Sequence, residues 1–235
     1  MTRRLLDTIL PLGVIYTPKG RNMSRRLAKL TTTSYALLGL MAIRPWTGYE
    51  LAKQMDRNRA WPRASSKVYE EPKKLVDQGL ARASREMTGE RPRTVYSITP
   101  KGRRALARWL DQPGAGPVLE FEQILKVFFA EHGSKQGLLT NLHAAKAWSR
   151  QRVEENVAIG QAYLEGRGPF PERLAVILLT ATFMSDFARL VGQWADWAES
   201  VVAGWPSDLS KAEPEMTALT ALVDKDRAYV EAPRP

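Results

Sequence analysis

The sequence predicts a mostly α-helical protein built from two parts. In residues 31–112, helical patterns with capping residues surround a single pair of strand-like runs. The proline- and glycine-rich run PGAGP at 113–117 then separates this part from the remainder. Every apolar pattern after that linker has helical spacing. We therefore predict a weakly structured extension at 1–30, a first domain at 31–112, a helical second domain at 118–205 and a loose tail at 206–235.

The charge of the chain changes sign between the two parts. The 235 residues carry a net charge of +10. Residues 1–112 hold 23 Lys and Arg against 9 Asp and Glu, a net of +14, whereas residues 113–235 hold 12 against 16, a net of −4. A strongly basic part joined to a mildly acidic part indicates that the first part meets a polyanion.

Several classes of protein are disfavoured by what the sequence lacks. It contains no cysteine, which excludes disulfides and thiolate metal sites and is typical of the cytoplasm. No run reaches about 18 consecutive apolar residues, so we predict no transmembrane helix and no membrane partner. His132 and His143 have no partners at metal-ligand spacing, and the neighbouring Glu154 and Glu155 are typical of a solvated helix surface. We predict no enzyme, no metal and no cofactor.

Capping residues define three helices in the first part. The run SYALLGLMAI at 34–43 is a short buried helix with Thr33 or Ser34 as its N-cap. Thr47 begins the second helix, and Glu50 stands three residues later at the spacing of a capping box. The third helix, SSKVYEEPKKLVDQGL, begins at Ser65-Ser66 and ends at Gly79, which has the expected C-cap position.

A β-hairpin and a fourth helix complete the first part. The predicted strands at 81–87 and 94–99 flank the turn GERPR at 89–93, which places Arg91 and Arg93 at the tip. Tyr96 and Ile98 alternate with Val95 and Ser97 in the second strand, which indicates one buried face. The fourth helix begins at Thr99 with Pro100 in its first position and extends through residue 110.

The order of three helices, a two-stranded hairpin and a linking helix is that of a winged helix-turn-helix domain. In such a domain the third helix fits the major groove of DNA, about 12 Å wide, and the hairpin lies beside it as a wing. Basic residues at the wing then contact phosphates, which supplies affinity rather than sequence choice. The candidate DNA-binding residues are Tyr35, Arg63, Ser65, Ser66, Lys67, Tyr69, Lys73, Arg91 and Arg93.

The first part resembles the PadR family of transcriptional regulators. The resemblance rests on TSYALLGLMA (33–42), GYELAK (48–53), WP (61–62), VYEEPKKLVDQGL (68–80) and RPRTVYSITPKGRRAL (91–106). It covers about residues 33–110, and the second part is similar to longer members of the family only in layout. The resemblance implies a dimer that binds double-stranded operator DNA and responds to a small ligand. A homodimeric repressor released by a small, aromatic ligand is the resulting expectation.

One residue departs from the pattern of the PadR family. Where members usually carry leucine, this sequence has Pro72 inside the third helix. A proline in a helix interior removes one hydrogen bond and clashes one turn back, at a cost of about 3 kcal/mol. We therefore expect the third helix to be kinked or to begin later than Ser65, which changes which of its side chains face the groove.

The second part contains three predicted helices. The first is marked by Phe121, Ile124, Leu125, Phe128 and Phe129, and the others extend over about 135–165 and 172–205. The last of them contains a heptad seam, a row of apolar residues at alternating spacings of four and three, which favours pairing with a second copy of the chain. The seam comprises Val176 and Thr180, followed by the predicted dimer contacts Phe183, Phe187, Leu190, Trp194, Trp197 and Val201.

Two questions stay open at the level of sequence. Trp148, Trp194 and Trp197 either line a site for a flat aromatic effector or only bury area in a dimer core. The first part is either a DNA-binding domain or a winged helix used for protein contact and assembly. The charge of +14 over residues 1–112 favours DNA, because a wing that binds protein has no need of it.

Overall fold

The computed structural model describes residues 30–57, 65–88 and 91–232. The chain divides into two compact units, with the boundary between Val118 and Leu119. The predicted extension at 1–30 lies outside the described residues except for its last position. Each unit has its own hydrophobic core, and the two are described separately.

The first unit contains helices packed against a small antiparallel sheet. Strand β3 is central, with β1 and β2 on either side of it. The mostly α-helical winged-helix fold predicted from the sequence is confirmed. The elements in chain order are α1 (Thr32–Ile43), β1 (Trp46–Thr47), α2 (Gly48–Arg57), α3 (Ser65–Asp77), β2 (Ala81–Thr88), β3 (Arg91–Ile98) and α4 (Pro100–Leu110).

Side-chain caps fix where the helices of the first unit begin. The N-cap of α1 is Thr31, and Ser34 completes its capping box, so the predicted cap at Thr33 or Ser34 was placed too late. The predicted pair of Thr47 and Glu50 caps α2. Thr99 caps α4 through the N–H of Gly102 at 3.1 Å. Each cap satisfies backbone donors that a helix start otherwise leaves free.

The core of the first unit forms where α1, α2 and α3 meet the sheet. Its most deeply buried side chains, each under 2% exposed, include Leu37, Leu38, Met41, Trp46, Leu51, Met55, Val68, Pro72 and Leu75. The indole N–H of Trp46 donates to the Leu40 carbonyl at 2.6 Å, which satisfies the one polar atom of that side chain. Burial of these side chains fixes the angle at which α3 is presented.

Helix α3 accommodates Pro72 without interruption. It begins at Ser65 and continues through Pro72 to Asp77, so the expected later start is wrong. Pro72 is buried in the core, where its packing offsets the lost backbone hydrogen bond. Gly79, the predicted C-cap, lies two residues after this end, and its φ of +69° is the left-handed conformation that glycine adopts most easily.

The second strand of the hairpin begins earlier than the sequence suggested. Strand β3 begins at Arg91, and Thr88, Met87 and Glu86 pair with Arg91, Pro92 and Arg93. Arg91 and Arg93 therefore lie on the strand rather than at the tip of a turn, and residues 89–90 are outside the described residues. The expectation of one buried face also needs correction, because Val95 and Tyr96 are both buried. Strand β3 lies between two neighbours, and side chains on both of its faces meet helices or the adjoining strand.

The second unit is built on two long antiparallel helices. Its elements are α5 (Glu122–Phe128), α6 (Lys135–Leu164), α7 (Leu174–Ala203) and α8 (Met216–Glu231). Polar contacts fix the pairing of α6 and α7. The Ser149 hydroxyl donates to the Ala188 carbonyl at 2.7 Å, and Lys146 contacts Asp196 at 2.6 Å and Glu199 at 2.7 Å. These carboxylates, Asp196 first, raise the pKa of Lys146 to about 12.

Helix α7 packs within the chain through a face whose residues each follow a seam residue by one position. The buried positions are Ala188, Val191, Ala195, Ala198 and Val202, each one residue after a predicted seam position. At about 100° per residue, the seam is roughly a quarter turn from the face that contacts α6. Phe183, Leu190 and Trp197 are exposed, while Phe187, Trp194 and Val201 are half-buried.

The segment after residue 205 is more regular than the predicted loose tail. Leu209 is buried against α6 and α7, and Met216–Glu231 forms the four-turn helix α8. Apolar side chains recur along α8 at helical spacing, and all of them are solvent-exposed in the single chain. They are Met216, Leu219, Leu222, Val223, Tyr229 and Val230.

Helix α7 meets the length and composition of a membrane-spanning helix. Within Pro171–Ala203 an 18-residue window has a mean hydropathy of 1.7, and 11% of that window is buried. The count of consecutive apolar residues overlooked this helix because Asp186 and Arg189 interrupt the run. One such helix is weak support for a membrane location, since core helices of soluble proteins have the same properties.

Candidate nucleic-acid interface

A concave surface of the first unit brings together residues from α2, α3 and β3. It encloses a volume of about 540 Å³ and is lined by Thr47, Gly48, Tyr49, Tyr69, Lys73, Arg93, Thr94 and Tyr96. We call this surface the basic groove. It combines two cations with tyrosine and threonine hydroxyls, which are the groups that proteins direct at phosphates and base edges.

Helix α3 contributes Tyr69 and Lys73 to the basic groove. The two residues are four apart and therefore lie on the same face of the helix. Tyr69 is 45% exposed, and its ring lies beside the backbone of Gly48 at the start of α2. The ring therefore packs beside the start of α2 while much of the side chain stays exposed at the surface.

Strand β3 contributes Arg93 and Thr94, both exposed. Arg93 stands directly opposite Glu86 on β2. An extended strand directs neighbouring side chains to opposite faces, so the wing offers this guanidinium on one face of the hairpin. The wing and α3 consequently meet at the same groove, as they do in winged-helix readers of DNA.

The first turn of α2 forms the third wall of the basic groove. A carboxylate oxygen of Glu50 accepts the backbone N–H of Thr47 at 2.8 Å, and Arg44 contacts the same carboxylate at 3.0 Å. The backbone hydrogen bond from Thr47 is the largest of the causes that hold the pKa of Glu50 below its ordinary value. Arg44 in turn lies over the ring of Trp46, 3.4 Å from its centroid.

Glu70 and Glu71, which are adjacent in α3, have separate surroundings. Glu71 faces inward, where it accepts a hydrogen bond from the Ser34 hydroxyl and lies 3.6 Å from Lys74. Ser34 is itself part of the cap of α1. Glu71 therefore ties α3 to α1 and does not oppose a phosphate. Glu70 is exposed.

The structure brings three of the predicted DNA-binding residues together in the basic groove, namely Tyr69, Lys73 and Arg93. Tyr35 lies elsewhere, stacked on Trp109 of α4 with ring centroids 4.7 Å apart. Arg63 is outside the described residues. For the remaining candidates the backbone is described but the side chains are not: Ser65, Ser66 and Lys67 in α3, and Arg91 in β3.

Sequence reasoning missed Tyr49 and Thr94 as groove residues. Tyr49 is 66% exposed in the first turn of α2, immediately after the cap that the sequence did reveal. An aromatic residue at N2 of a capped helix beside α3 was the available signal. Thr94 was assigned to a strand, and only its pairing opposite Arg85 shows which surface it lines.

A second cavity lies wholly within the second unit. It encloses about 310 Å³ and is lined by Leu119, Glu120, Phe121, Glu122, Gln123, Trp148, Phe187 and Val191. We call it the aromatic cavity. Of the predicted effector residues, Trp148 lines the cavity, and its ring meets that of Phe187 edge to face with the ring centroids 6.2 Å apart. The Trp194 ring meets the ring of the cavity residue Phe121 in the same way, with the centroids 6.0 Å apart. Trp197 is on the exposed seam and does not line the cavity.

A family model matches part of the first unit. Residues 37–108 match the transcriptional regulator PadR-like family. These residues, called the PadR-like domain below, make up less than half of the chain. They include α2, α3 and both strands of the wing, so the match covers the elements that line the basic groove. The resemblance predicted from the sequence is confirmed, and members of this family are transcriptional regulators rather than enzymes.

A curated relative agrees with the PadR-like match. The negative transcriptional regulator PadR of Bacillus subtilis is 28% identical over 106 residues, which is 43% of this chain and 58% of that protein. The alignment thus spans less than two thirds of the length of this relative.

Solved structures extend the likeness beyond the PadR-like domain. Bacillus subtilis PadR in complex with operator DNA superposes with a TM-score of 0.63 at 20% identity, over 73% of this chain and 99% of that one. The same protein in complex with p-coumaric acid superposes with a TM-score of 0.58 at 19% identity, over 74% and 99% of the two chains. These likenesses concern the fold.

Proposed function

We propose that this protein is a homodimeric, sequence-specific DNA-binding repressor that a small aromatic ligand releases from its operator. It would act in the cytoplasm on double-stranded DNA. The observation that carries the proposal is the basic groove, in which Tyr69 and Lys73 of α3 meet Arg93 of the wing. The net charge of +14 over residues 1–112 supports a polyanionic partner.

The proposed contacts with DNA are of two chemical kinds, those that bind phosphates and those that recognise base edges. Lys73 and Arg93 are suited to phosphates, each of which releases counterions when it is neutralised. Tyr69, with Lys67 on the same helix, is suited to base edges, where a good contact discriminates by about 1–3 kcal/mol. Contacts from α3 would therefore determine which DNA sequence is bound, and phosphate contacts from the wing would supply most of the affinity.

Dimerisation follows from the apolar surface that the second unit leaves exposed. Phe183, Leu190 and Trp197 of the seam are each more than half exposed in the single chain. Apolar patches of this extent usually mark interaction sites. Pairing of two copies about a two-fold axis would cover the seam and set two recognition helices about 34 Å apart, for successive major grooves.

The aromatic cavity supports the ligand part of the proposal. Trp148, Phe187 and Phe121 provide flat apolar walls, and a volume of about 310 Å³ lies at the lower end of the range for ligand pockets. The B. subtilis relative was solved with p-coumaric acid, a planar aromatic compound. A ligand that binds one arrangement of the dimer better than the other would lower the affinity for DNA.

Selection from random duplexes tests the proposal. The full chain should enrich a two-fold symmetric sequence whose half-sites lie about one helical turn apart. At equal salt, the enriched duplex should bind at least about 1,000-fold more tightly than random DNA by fluorescence anisotropy. Selection without enrichment would contradict operator binding. Planar aromatic compounds should lower the affinity for the enriched duplex, and an unchanged affinity with every compound would contradict release by a ligand.

A further inference from the structure

The outer face of α4 carries a concentration of positive charge that is separate from the basic groove. Lys101, Arg103, Arg104 and Arg108 are all exposed, and the helix PKGRRALARWL contains no acidic residue. Lys101 and Arg103 stand near the helix start, where the partial positive charge of the backbone disfavours cations. Arg104 and Arg108 are four residues apart, a spacing at which like charges repel. These charges therefore oppose the stability of α4, and their presence calls for another explanation.

The arginines of α4 differ from most of those in the second unit because they have no counter-charge. Five arginines of the second unit each contact a nearby carboxylate, as Arg150 does with Glu154 at 3.0 Å. Within the residues that the structure describes, Arg103, Arg104 and Arg108 form no ion pair and no hydrogen bond. Solubility alone is served by a mixture of both signs of charge. Unpaired cations of one sign leave a positive potential that attracts an anionic partner.

Three of these cations form a row along one side of α4. Lys101, Arg104 and Arg108 are spaced by three and four residues, the spacing of neighbours on a helix surface. Arg103 lies about 100° around the helix from Arg104 and is outside the row. At 1.5 Å per residue the row is about 10 Å long, and one DNA strand carries about three phosphates over that length of duplex axis. We call these three residues the α4 row.

Helix α3 separates two sides of the first unit. On one side Tyr69 meets Arg93 of the wing in the basic groove. On the other side Glu71 accepts a hydrogen bond from the hydroxyl of Ser34 in α1. Residues 69 and 71 are about 200° apart around α3, so the wing and α1 lie on opposite sides of this helix.

Helix α4 lies on the same side of α3 as α1. Near its end, Trp109 stacks on Tyr35 of α1 with the ring centroids 4.7 Å apart. At its start, Lys101 donates to the carbonyl of Gln78, just after α3, at 2.8 Å. The α4 row therefore begins beside the end of α3 and extends toward α1. When a recognition helix occupies the major groove, the DNA backbone continues past both of its sides, and the first helix of such domains crosses that backbone.

We propose that the α4 row is a second phosphate-binding surface, which holds the DNA backbone on the side of α3 opposite the wing. The inference rests on the proposed DNA-binding function and adds a surface to it, since no residue that lines the basic groove belongs to α4. Arg104 and Arg108 would contact phosphates directly. Lys101, which already binds the Gln78 carbonyl, would add its charge. These contacts would strengthen binding to any duplex without choosing a sequence.

Arg104→Ala with Arg108→Ala tests the α4 row through the salt dependence of DNA binding. With the full chain, and with both the enriched duplex and random duplexes, the slope of log affinity against log salt should flatten by about 1.8, or about 0.9 per phosphate contact. Arg104→Lys with Arg108→Lys keeps both charges and should retain most of the slope, because lysine also binds phosphate. An unchanged slope in the alanine variant would overturn the proposal.

Arg103→Ala is the matched control on the same helix. It removes an exposed cation that is outside the α4 row, and it should leave the slope unchanged because salt screens charges that make no contact. If Arg103→Ala flattened the slope as much per charge as the double variant does, the effect would come from the overall charge of α4, and the proposal would be wrong. Equal urea midpoints of the parent and the variants would show that folding is unaffected.

Ethylation interference locates the phosphates that the α4 row contacts. In the parent complex, ethylation should interfere with binding at two separate groups of phosphates. The alanine variant of Arg104 and Arg108 should lose one group, and Arg93→Ala should lose the other. Loss of the same group in both variants would refute a separate surface. A parent that binds operator while the α4 variant keeps both groups contradicts this inference alone, whereas a parent that binds no DNA contradicts the proposed function as well.

Discussion

Thr47 and Glu50 cap each other at the start of α2. The Thr47 hydroxyl oxygen accepts the Glu50 backbone N–H at 3.2 Å, and the Glu50 carboxylate accepts the Thr47 backbone N–H at 2.8 Å. The carboxylate also accepts from the Thr47 hydroxyl at 2.9 Å. Because Tyr49 and Gly48 lie between them and line the basic groove, this pair fixes one wall of the groove.

The Thr47–Glu50 pair makes stability depend on pH. The folded chain lowers the pKa of Glu50 from its ordinary value of 4.5, so ionised Glu50 stabilises the fold above that pH. The stabilisation is lost as the pH falls through the lowered pKa. Glu50→Gln should therefore reduce the urea midpoint at pH 7, and the difference from the parent should narrow as the pH falls below 4.5. Glu70→Gln, at an exposed position of α3, is the control; a difference for Glu50→Gln that is constant with pH would disprove the effect.

The wing should contribute affinity without sequence choice. Arg91→Ala with Arg93→Ala should weaken binding to operator and random duplexes alike. The slope of log affinity against log salt should flatten by up to about 2, roughly one per lost phosphate contact. Arg150→Ala with Arg189→Ala removes two exposed arginines of the second unit and should leave the slope unchanged. An unchanged slope in the wing variant would mean that the wing does not touch phosphate.

Helix α3 should carry the sequence choice. Tyr69→Ala should reduce discrimination between operator and random DNA more than it reduces non-specific binding, by about 1–3 kcal/mol if the hydroxyl contacts a base edge. Lys67→Ala should act in the same direction. Tyr229→Ala removes a tyrosine that is exposed on α8 and serves as the control in competition anisotropy. If both α3 variants still discriminate fully between operator and random DNA, Lys73 and Lys74 become the candidates for the contacts to base edges.

The close approach of α4 to the end of α3 depends on Gly102. A Cβ at this position would lie 2.1 Å from the Leu80 carbonyl oxygen, and backbone cannot move aside as a flexible side chain can. Gly102→Ala should lower the free energy of unfolding by about 1–3 kcal/mol, the usual cost of overpacking. Gly39→Ala in α1 meets no atom within 4 Å and should be neutral or stabilising by up to about 1 kcal/mol. Urea denaturation compares them, and equal effects would contradict the packing argument.

The seam of α7 should form the dimer. Phe183→Glu with Leu190→Glu places two carboxylates on the exposed seam and spares Trp194, which is half-buried within its own chain. Sedimentation should show monomers, and operator binding should fall with the loss of the dimer. Gln193→Glu with Ser200→Glu adds the same charge to exposed positions away from the seam and should remain dimeric. A seam variant that stays dimeric at micromolar concentration would assign the dimer contact to another surface, with α5 the first to examine.

Local chemistry made the first unit predictable. Thr47, Thr99, Pro100 and Gly79 act through neighbours within four residues, and each occupies its predicted place in the structure. The wing was harder to place, because every residue of GERPR is typical of a turn or an exposed surface. Pairing of Arg91 with Thr88 depends on β2 and could not be found from β3 alone.

The second unit shows why periodicity alone did not suffice. Large aromatic residues drew attention to one face of α7, but Ala188, Ala195 and Ala198 form the contact with α6. Alanine is a weak hydrophobic signal, and its value at a helix–helix contact is the close approach it permits. Helix α8 was missed because Pro206 and Pro214 suggested a loose segment, although both precede the helix. Of the basic groove, Tyr69, Lys73 and Arg93 were predicted, since each belongs to an element whose role the topology fixes.

The end of α3 and the start of α4 are fastened together by polar contacts. The Thr99 hydroxyl lies 2.8 Å from the Gly79 carbonyl, and Lys101 donates to the Gln78 carbonyl at 2.8 Å. With Gly102 packed against the Leu80 backbone, these contacts hold the end of α3 and the start of α4 together. We expect the two helices to move as one rigid body, so that a displacement of α4 would shift Tyr69 and Lys73 together with it.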